Sequence, residues 1–192
     1  MFTVRSALAT DRLVLRPFRP EDVDDVLAMR SRPEVVRYLY GDVLTRREVV
    51  DSLAKRMALT SLRQDGDALA LAVERREDRR VIGDITLRLH SAKHRQGEIG
   101  FVFHPAEQGK GYAREAATAV LDIAFGPVAL HRVIGRTDAR NVASAALLRR
   151  LGMTQEAHLR HSEIFKGDWG DELIFGLLEH EWRAAGPASP LR

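Results

Sequence analysis

The chain has 192 residues, of which 45% are hydrophobic and 30% are charged, a balance that is typical of a globular domain. Cysteine is absent, which excludes disulfides, thiolate metal sites and a cysteine nucleophile. The 30 lysine and arginine residues nearly balance the 27 aspartate and glutamate residues, so the net charge of +3 gives little support for a nucleic-acid partner. No apolar run approaches the roughly 18 residues of a membrane helix, and the first residues lack the apolar stretch of a signal peptide. We therefore expect a cytoplasmic protein without a membrane partner.

Hydrophobic periodicity predicts strands and helices along the whole chain. Apolar residues at every second position predict strands, and apolar residues three or four apart predict helices. The predicted strands cover residues 12–19, 68–74, 81–89, 98–103, 131–137 and 171–178. The predicted helices cover residues 21–30, 46–63, 111–125 and 142–151, the second of them opening with a capping box of Thr45 and Glu48. The pattern favours an α+β fold with one mixed sheet, in which the strands from 68 to 103 form an antiparallel meander.

The order of these predicted elements indicates a single domain over residues 10–183. Residues 1–9 form an N-terminal extension in this interpretation. Residues 184–192 are rich in Ala, Gly, Pro and Ser, so we expect a disordered tail there.

The strongest local signal is a glycine-rich turn between a strand and a helix, within the stretch FVFHPAEQGKGYARE at 101–115. Gly109 and Gly111 have no side chains to block a ligand, and they stand where the first N–H groups of a helix lack partners. Such a turn can bind the phosphates of an anionic ligand. The alternative is an ordinary glycine turn that only opens a helix, and local chemistry does not separate the two.

A second polar turn leads into the helix at 142–151. Asn141 is in the position of an N-cap, and Ser144 follows three residues later, where its hydroxyl can help to satisfy the first turn. Taken alone, this turn needs no function beyond capping. The order of the elements is more informative, because the meander and the glycine-rich turn precede an Asn-x-x-Ser helix that ends in Leu-Gly-Met at 151–153.

Together these motifs resemble the GCN5-related N-acetyltransferases, and within them the ribosomal-protein-alanine acetyltransferase type. The stretch QGKGYA at 108–113 matches the family's acetyl-CoA signature, and NVAS at 141–144 matches its second motif. Further characteristic pieces are TDRLVLRPF at 10–18 and EIGF at 98–101. The resemblance covers about residues 10–182. It implies a fold in which two neighbouring parallel strands separate after a bulge, with acetyl-CoA entering between them.

The resemblance also implies which residues hold acetyl-CoA. Backbone groups of the strand at 101–103 would bind the pantetheine arm, and one of the N–H groups there would polarise the thioester carbonyl. The N–H groups of the glycine-rich turn would hold the diphosphate. The implied cofactor set, which needs no metal, is Phe101, Val102, Phe103, Gln108, Gly109, Lys110, Gly111, Tyr112, Ala113, Arg114 and Asn141.

Direct transfer of acetyl to an amine requires a base for the amine proton and an acid for the leaving thiolate. The candidate base is Glu98, acting through a water; the alternative is a structural ion pair of Glu98 with Arg88 or Arg136. Much of the superfamily places a tyrosine seven residues after the asparagine as the acid, but Leu148 stands at that position here. Members of the ribosomal-protein subgroup resemble this chain in having a serine in the second motif, so the resemblance implies Ser144 as the candidate to protonate or hold the thiolate, unless that role is vacant.

Aromatic residues in two loops are candidates for binding the acceptor amine. Tyr38 and Tyr40 lie in the loop at 33–43, and Trp169 lies in a hairpin that the family places near the acceptor. The alternative is that these rings only cap the core. The chain's histidines lack a nearby carboxylate pattern that would predict a metal site.

The leading function is an acetyl-CoA-dependent N-acetyltransferase that acts on a primary amine, with the N-terminal amine of a protein as one acceptor class. A small-molecule amine is the alternative acceptor. A non-catalytic acyl-CoA-binding module is a third hypothesis, because the usual tyrosine is missing. An RNA-binding domain is a fourth, although no base-stacking motif supports it. A homodimer is compatible with each of the first three.

Overall fold

The computed structural model describes residues 2–4, 6–184 and 186. Its strands are β1 (Phe2–Thr3), β2 (Leu8–Ala9), β3 (Leu13–Pro17), β4 (Ser61–Leu62), β5 (Ala68–Arg75), β6 (Val81–Ser91), β7 (Gln96–Phe103), β8 (Arg132–Asp138), β9 (Thr154–Phe165) and β10 (Asp168–Leu178). Its helices are α1 (Val23–Arg30), α2 (Pro33–Val36), α3 (Arg46–Met57), α4 (Tyr112–Phe125), α5 (Val142–Arg150) and α6 (Glu179–Ala184). Short 3-10 turns cover Pro20–Asp22 and Pro105–Glu107.

Eight of the strands form one mixed sheet in the order β2-β3-β5-β6-β7-β8-β10-β9, while β1 and β4 form a separate antiparallel pair. Every contact in the eight-stranded sheet is antiparallel except that between β7 and β8. The predicted α+β class with a mixed sheet and an antiparallel meander is confirmed. The tail expected at 184–192 lies outside the described residues, apart from Ala184, which ends α6, and Gly186.

The parallel contact between β7 and β8 is short. It joins Gln96 to Arg132, Gly97 to Val133 and Glu98 to Ile134, and beyond these pairs the two strands separate. The separation was expected, but the bulge expected in front of it was not found in β7, whose register against β6 is continuous from Gly97 to Phe103. The register shift lies instead between Leu89 and Ser91 of β6.

Two predicted boundaries were wrong and one long strand was missed, each for a physical reason. The helix predicted to end at 63 ends at Met57, because residues 61–62 pair with β1 instead. β9 was not predicted at all, because this edge strand is exposed along nearly its whole length and shows no apolar alternation. β10 begins at Asp168, because Lys166 and Gly167 both have positive φ and form the tight turn of a hairpin.

The sheet separates two apolar clusters. On one face, α4 and α5 pack on the larger cluster, and the small side chains of Ala116 and Ala117 let α4 approach the sheet closely. On the other face, α1 and α3 pack on a smaller cluster around Met29, Val49 and Leu53. The predicted capping box at the start of α3 is confirmed, because the Thr45 hydroxyl accepts from the N–H of Glu48 while the Glu48 carboxylate accepts from the N–H of Thr45.

Buried ion pairs fix α1 and α3 on the sheet. Asp84 of β6 is 3% exposed, and its carboxylate accepts from Arg30 of α1 at 2.7 Å and from Arg56 of α3. Burial alone would raise the pKa of Asp84, but the two guanidinium groups outweigh burial and hold this pKa below its usual range. The ionised carboxylate is therefore part of the folded state.

Replacing Asp84 with Asn should lower the free energy of unfolding by about 3–5 kcal/mol, because two partly buried guanidinium groups lose their fully buried counter-charge. Since the folded pKa is the lowered one, this stabilisation is fully present above the unfolded pKa of about 3.9 and is lost as the pH falls through the folded value. Urea unfolding at pH 7 and at about pH 3 should therefore show a smaller difference between the two proteins at the lower pH.

The matched control is Asp24→Asn, which removes an exposed ion pair with Arg46. We expect this variant to stay within about 0.5 kcal/mol of the original chain. Equal losses in both variants would contradict the role of Asp84.

Candidate active site

Backbone groups line the gap that opens between β7 and β8. The N–H of His104 donates to the carbonyl of Ile82 at 2.9 Å, which sets the ladder between β6 and β7. In an antiparallel strand, the backbone N–H and C=O groups of every second residue bond to the same neighbouring strand. The groups of Val102 therefore bond to β6, whereas the backbone groups of Phe101 and Phe103 face the gap. Val102 therefore does not offer the free backbone groups that were expected of it.

A side chain from the glycine-rich turn closes one end of this gap. Nε2 of Gln108 donates to the carbonyl of Phe103 at 3.3 Å. The carbonyl of Phe103 therefore already has a donor, so Phe103 offers its N–H alone, whereas both backbone groups of Phe101 remain open to a ligand.

The glycine-rich turn forms a cradle of N–H groups. Gly109 and Gly111 have φ of 76° and 85°, in the left-handed region that glycine tolerates, and Gly111 is the N-cap of α4. Among the described residues, none accepts a hydrogen bond from the N–H groups of residues 109–114. The N–H of Glu115 is the first to bond within the helix, to the carbonyl of Gly111 at 3.0 Å. Six successive free donors at the positive end of a helix fit a diphosphate.

Two basic side chains accompany this cradle. Nζ of Lys110 contacts Oε2 of Glu107 at 3.0 Å, and Arg114 is exposed on the first turn of α4. Both basic residues of the predicted cofactor set therefore lie on or next to the turn. Tyr112 and Ala113 are half-buried and begin α4.

The second polar turn has the predicted cap. Oδ1 of Asn141 accepts from the N–H of Ser144 at 3.1 Å and starts α5. Leu148 is 1% exposed, and a Cβ on Gly135 would lie 2.5 Å from its side chain. The position that holds a tyrosine in much of the superfamily is thus a packing position here, which explains the absence of a polar side chain at 148.

Glu98 lines a cavity of about 160 Å³ beside the point where β7 and β8 separate. Its walls come from β7, β8, the β9–β10 hairpin and the loop after α2. The lining residues are Tyr38, Tyr40, Glu98, Arg136, Thr137, Asp138, Glu163, Phe165, Gly170, Asp171 and Glu172. Neighbouring side chains alternate across a strand, and Ile99 and Val133 pack with α4, so Glu98 points to the sheet face opposite α4.

Neither predicted ion-pair partner binds Glu98. Arg136 forms a two-fold pair with Glu172, at 2.9 and 2.7 Å, and Arg88 donates to a backbone carbonyl. Oε2 of Glu98 instead lies 2.9 Å from Nε2 of His90, at the register shift of β6. Sequence reasoning missed His90 because it is a diagonal neighbour of Glu98, whereas Arg88 is the residue directly opposite.

Carboxylates dominate the cavity. Five of the lining residues are acidic and one, Arg136, is basic. Glu163 accepts from the hydroxyl of Tyr40 at 2.7 Å, which raises the pKa of Tyr40 to about 12. Asp171 accepts from the backbone N–H of His161 and contacts the ring of His158, and these contacts lower the pKa of Asp171. A cavity of this charge attracts a cation.

The aromatic candidates are only partly brought together. Tyr38 and Tyr40 line the cavity, and the ring of Tyr40 meets the ring of Phe165 edge-on at 5.6 Å. Trp169 does not line the cavity; it is 59% exposed and stacks on His161 at 6.4 Å. A contact between Trp169 and the acceptor stays a prediction.

Lys166, which was not singled out from the sequence, ties the two walls of the cavity together. From the β9–β10 turn, its Nζ donates to the carbonyl oxygens of Val36 and Gly41, at 3.0 and 3.1 Å. The loop with both tyrosines is thereby held against the hairpin.

No described helix is both long enough and apolar enough to cross a membrane. Over the same described residues, no cluster of three or more His, Cys, Asp or Glu side chains has the arrangement of a metal site.

Comparisons with known proteins agree with this geometry. A family model described as "Acetyltransferase (GNAT) domain" matches residues 12–154. The chain is 30% identical over 175 residues to the uncharacterized N-acetyltransferase YnaD of Bacillus subtilis, covering 91% of this chain and 98% of that protein. A solved GNAT-family acetyltransferase from Bacillus anthracis superposes with a TM-score of 0.82 at 27% identity, covering 91% of this chain and 99% of that one.

Two relatives have names that state an acceptor. The chain is 25% identical over 179 residues to spermidine N(1)-acetyltransferase of Escherichia coli, covering 88% of each chain. It is 29% identical to the [ribosomal protein uS5]-alanine N-acetyltransferase of Escherichia coli over 84 residues, covering 44% of this chain and 43% of that enzyme. The comparisons therefore do not single out the ribosomal-protein type that the motifs suggested.

Gly111→Val should abolish binding of CoA without unfolding the protein. The φ of 85° strains a β-branched residue by about 1–3 kcal/mol, and a Cβ would lie 3.3 Å from Nη2 of Arg12, so the N–H cradle must change shape. Isothermal titration with CoA measures the loss, and circular dichroism checks the fold.

The matched control is Gly66→Val, which has a similar strain at φ of 90° with nothing within 4 Å of its Cβ. It should bind CoA as the original chain does. Unchanged CoA affinity in the Gly111 variant would remove the diphosphate from this turn.

Proposed function

We propose, from the premise that the chain belongs to the GNAT acetyltransferase family, that its acceptor is a cationic primary amine bound in the cavity beside Glu98. Acetyl-CoA-dependent N-acetyl transfer is the activity of the family, and the acceptor is what we infer. One observation carries the inference: the cavity combines Glu98 with four further carboxylates and one guanidinium. An amine that arrives protonated is attracted there before it loses its proton.

The residues present fit the binding of acetyl-CoA. The cradle of residues 109–114 would hold the diphosphate, the open backbone of Phe101 would bind the pantetheine arm, and Asn141 would add a hydrogen bond. When bound, the thioester supplies an activated acetyl group. The N–H of Phe101 faces the gap and is our candidate donor to the thioester carbonyl.

Glu98 is our candidate for the base. It lines the acceptor cavity on one side and contacts His90, which does not line the cavity, on the other. Its carboxylate takes the amine proton, directly or through a water, and the amine lone pair is then free to attack the acetyl carbon. Ser144 remains the candidate that holds or protonates the leaving thiolate. It does not line the cavity of Glu98, as expected for a group on the cofactor side.

A small molecule with more than one amine is the acceptor class that the cavity favours. Glu172 is paired with Arg136 and Asp138 with Arg140, but the three other carboxylates of the cavity still exceed what one ammonium group requires. The cavity of about 160 Å³ has room for a slender chain. The similarity to spermidine acetyltransferase over 88% of the chain supports this class. The second candidate is the N-terminal amine of a protein, in the manner of the ribosomal-protein enzymes, supported by a shorter match. A homodimer stays a prediction.

Glu98→Gln should leave CoA binding intact and lower kcat by about 10² to 10⁴ at neutral pH, because the amide cannot take up the amine proton. A thiol-release assay against a panel of amines and peptides measures turnover. The control, Glu77→Gln, changes an exposed glutamate outside the site and should be fully active. Undiminished turnover in the Glu98 variant would reassign the base, and a wild-type chain that binds CoA but acetylates nothing would favour the non-catalytic module.

Glu163→Gln should raise KM for a diamine roughly tenfold, about 1.4 kcal/mol, and raise KM for a monoamine less, because the second ammonium group loses a counter-charge.

Tyr38→Ala should raise KM for both the diamine and the monoamine. Trp169→Ala tests the residue that lies outside the cavity. If the Trp169 variant alone changes KM, the acceptor binds at the hairpin surface and the cavity assignment is wrong.

A further inference from the structure

Arg12, at the entrance to β3, is held against the glycine-rich turn. Its Nε lies 2.7 Å from Oε2 of Glu115, on the first turn of α4, and its Nη1 donates to the carbonyl of Lys110 at 3.0 Å. Its guanidinium group also covers the ring of Tyr112 at 4.6 Å. These contacts place one arginine across the start of α4, although nearly 100 residues separate it from the turn along the chain.

The third nitrogen of the guanidinium has no acceptor among the described residues. Nη2 lies 3.3 Å from the position that a Cβ on Gly111 would take, beside the free N–H groups of the turn. The Arg12 side chain is 48% exposed, so this edge is open to a ligand. Nε and Nη1 fix the group, and Nη2 remains available as a donor.

Glu115 is a second fixed point of this arrangement. Its carboxylate accepts from the hydroxyl of Thr10 at 2.6 Å, from the N–H of Arg12 at 2.8 Å and from the Arg12 guanidinium. Burial alone would raise the pKa of Glu115, but these hydrogen bonds outweigh burial and lower it. Glu115 therefore remains ionised and holds Arg12 in one orientation.

Positive charge exceeds negative charge at this end of α4, although Glu115 pairs with Arg12. The start of a helix is the positive end of its dipole, and a cation there is destabilising. Lys110, Arg114 and Arg75 add positive charge to the same end of α4, while Glu107, Asp78 and Glu115 balance three of the four cations. A phosphate group bound at the turn would remove the remaining excess.

We propose that Arg12 is a further cofactor-binding residue, which donates to the diphosphate of acetyl-CoA through Nη2 while it holds the glycine-rich turn through Nη1. The inference rests on the acetyl-CoA part of the proposed function and is independent of the acceptor. Charge-assisted hydrogen bonds of a guanidinium to phosphate are among the strong ones in proteins, and two donors on one group add geometric specificity.

The test compares the dissociation constants of CoA and of pantetheine, which lacks the phosphates, by isothermal titration. Arg12→Ala should weaken CoA about ten- to a hundredfold and leave pantetheine unchanged. Arg12→Lys should weaken CoA less than Arg12→Ala does, because it keeps the charge but not the fork of donors. The difference between wild type and Arg12→Ala should shrink in 1 M salt, where the Debye length is about 3 Å.

The matched control is Arg76→Ala. Arg76 contacts the same segment, through the carbonyl oxygens of Thr10 and Asp11 at 3.0 and 3.2 Å, but makes no described contact with the turn. It should bind CoA with wild-type affinity. If circular dichroism shows that Arg12→Ala does not fold, the dissociation constants of CoA and pantetheine are measured for Arg12→Lys and Arg12→Gln instead, and these decide whether Arg12 binds the diphosphate.

Wild-type CoA affinity in the folded Arg12 variants would overturn the proposal. Equal weakening of CoA and pantetheine would also overturn it, because a loss shared by a ligand without phosphates would not come from contacts of Arg12 with the diphosphate. A wild-type chain that does not bind CoA would instead overturn the cofactor part of the proposed function.

Discussion

Beyond Glu98 and Ile134, β7 and β8 no longer share hydrogen bonds, and each is held only from its other side, by β6 and by β10. An interrupted sheet leaves backbone donors and acceptors unpaired, which costs free energy unless water or a ligand satisfies them. The extensive antiparallel pairing on both sides tolerates that cost. The same separation gives a ligand access to open backbone from the α4 face and places Glu98 at the edge of a cavity on the opposite face.

The face opposite α4 depends on charge as well as on apolar packing. Arg16 is 4% exposed and binds Asp22 and Glu74, and Asp84 binds the arginines of α1 and α3. Such pairs contribute little net stability compared with apolar residues, but breaking one leaves an uncompensated buried charge, so they restrict where α1 and α3 can sit. The loop with Tyr38 and Tyr40 connects α2 to α3, and Lys166 holds it against the hairpin on both sides of the tyrosines, at Val36 and at Gly41. The walls of the cavity beside Glu98 are therefore positioned by directional contacts.

What could be predicted from the sequence was local. The glycine-rich turn, the Asn141 cap and the Thr45 capping box follow from residue types a few positions apart, and the structure contains all three. The cavity was less predictable, because Glu163 comes from β9, a strand without apolar alternation. Arg12 and Glu115 meet only after β3 and α4 have packed, and the His90 contact with Glu98 depends on a register shift that no local pattern signals. Pairing register and packing of distant segments decide these contacts.

The net charge of the chain is small, but positive and negative charges are concentrated in two different regions of the site. Free N–H groups, Arg12 and Arg114 make the start of α4 electropositive. The three cavity carboxylates that lack an arginine partner among the described residues, Glu98, Glu163 and Asp171, make the cavity electronegative. Under the proposed function, the polyanionic donor and a cationic acceptor would be attracted to opposite faces of the sheet, and each would be repelled from the site of the other. The two sites adjoin only where β7 and β8 separate, next to Glu98. In the proposed reaction, this arrangement would bring the amine, the carboxylate of Glu98 and the acyl group together at that point.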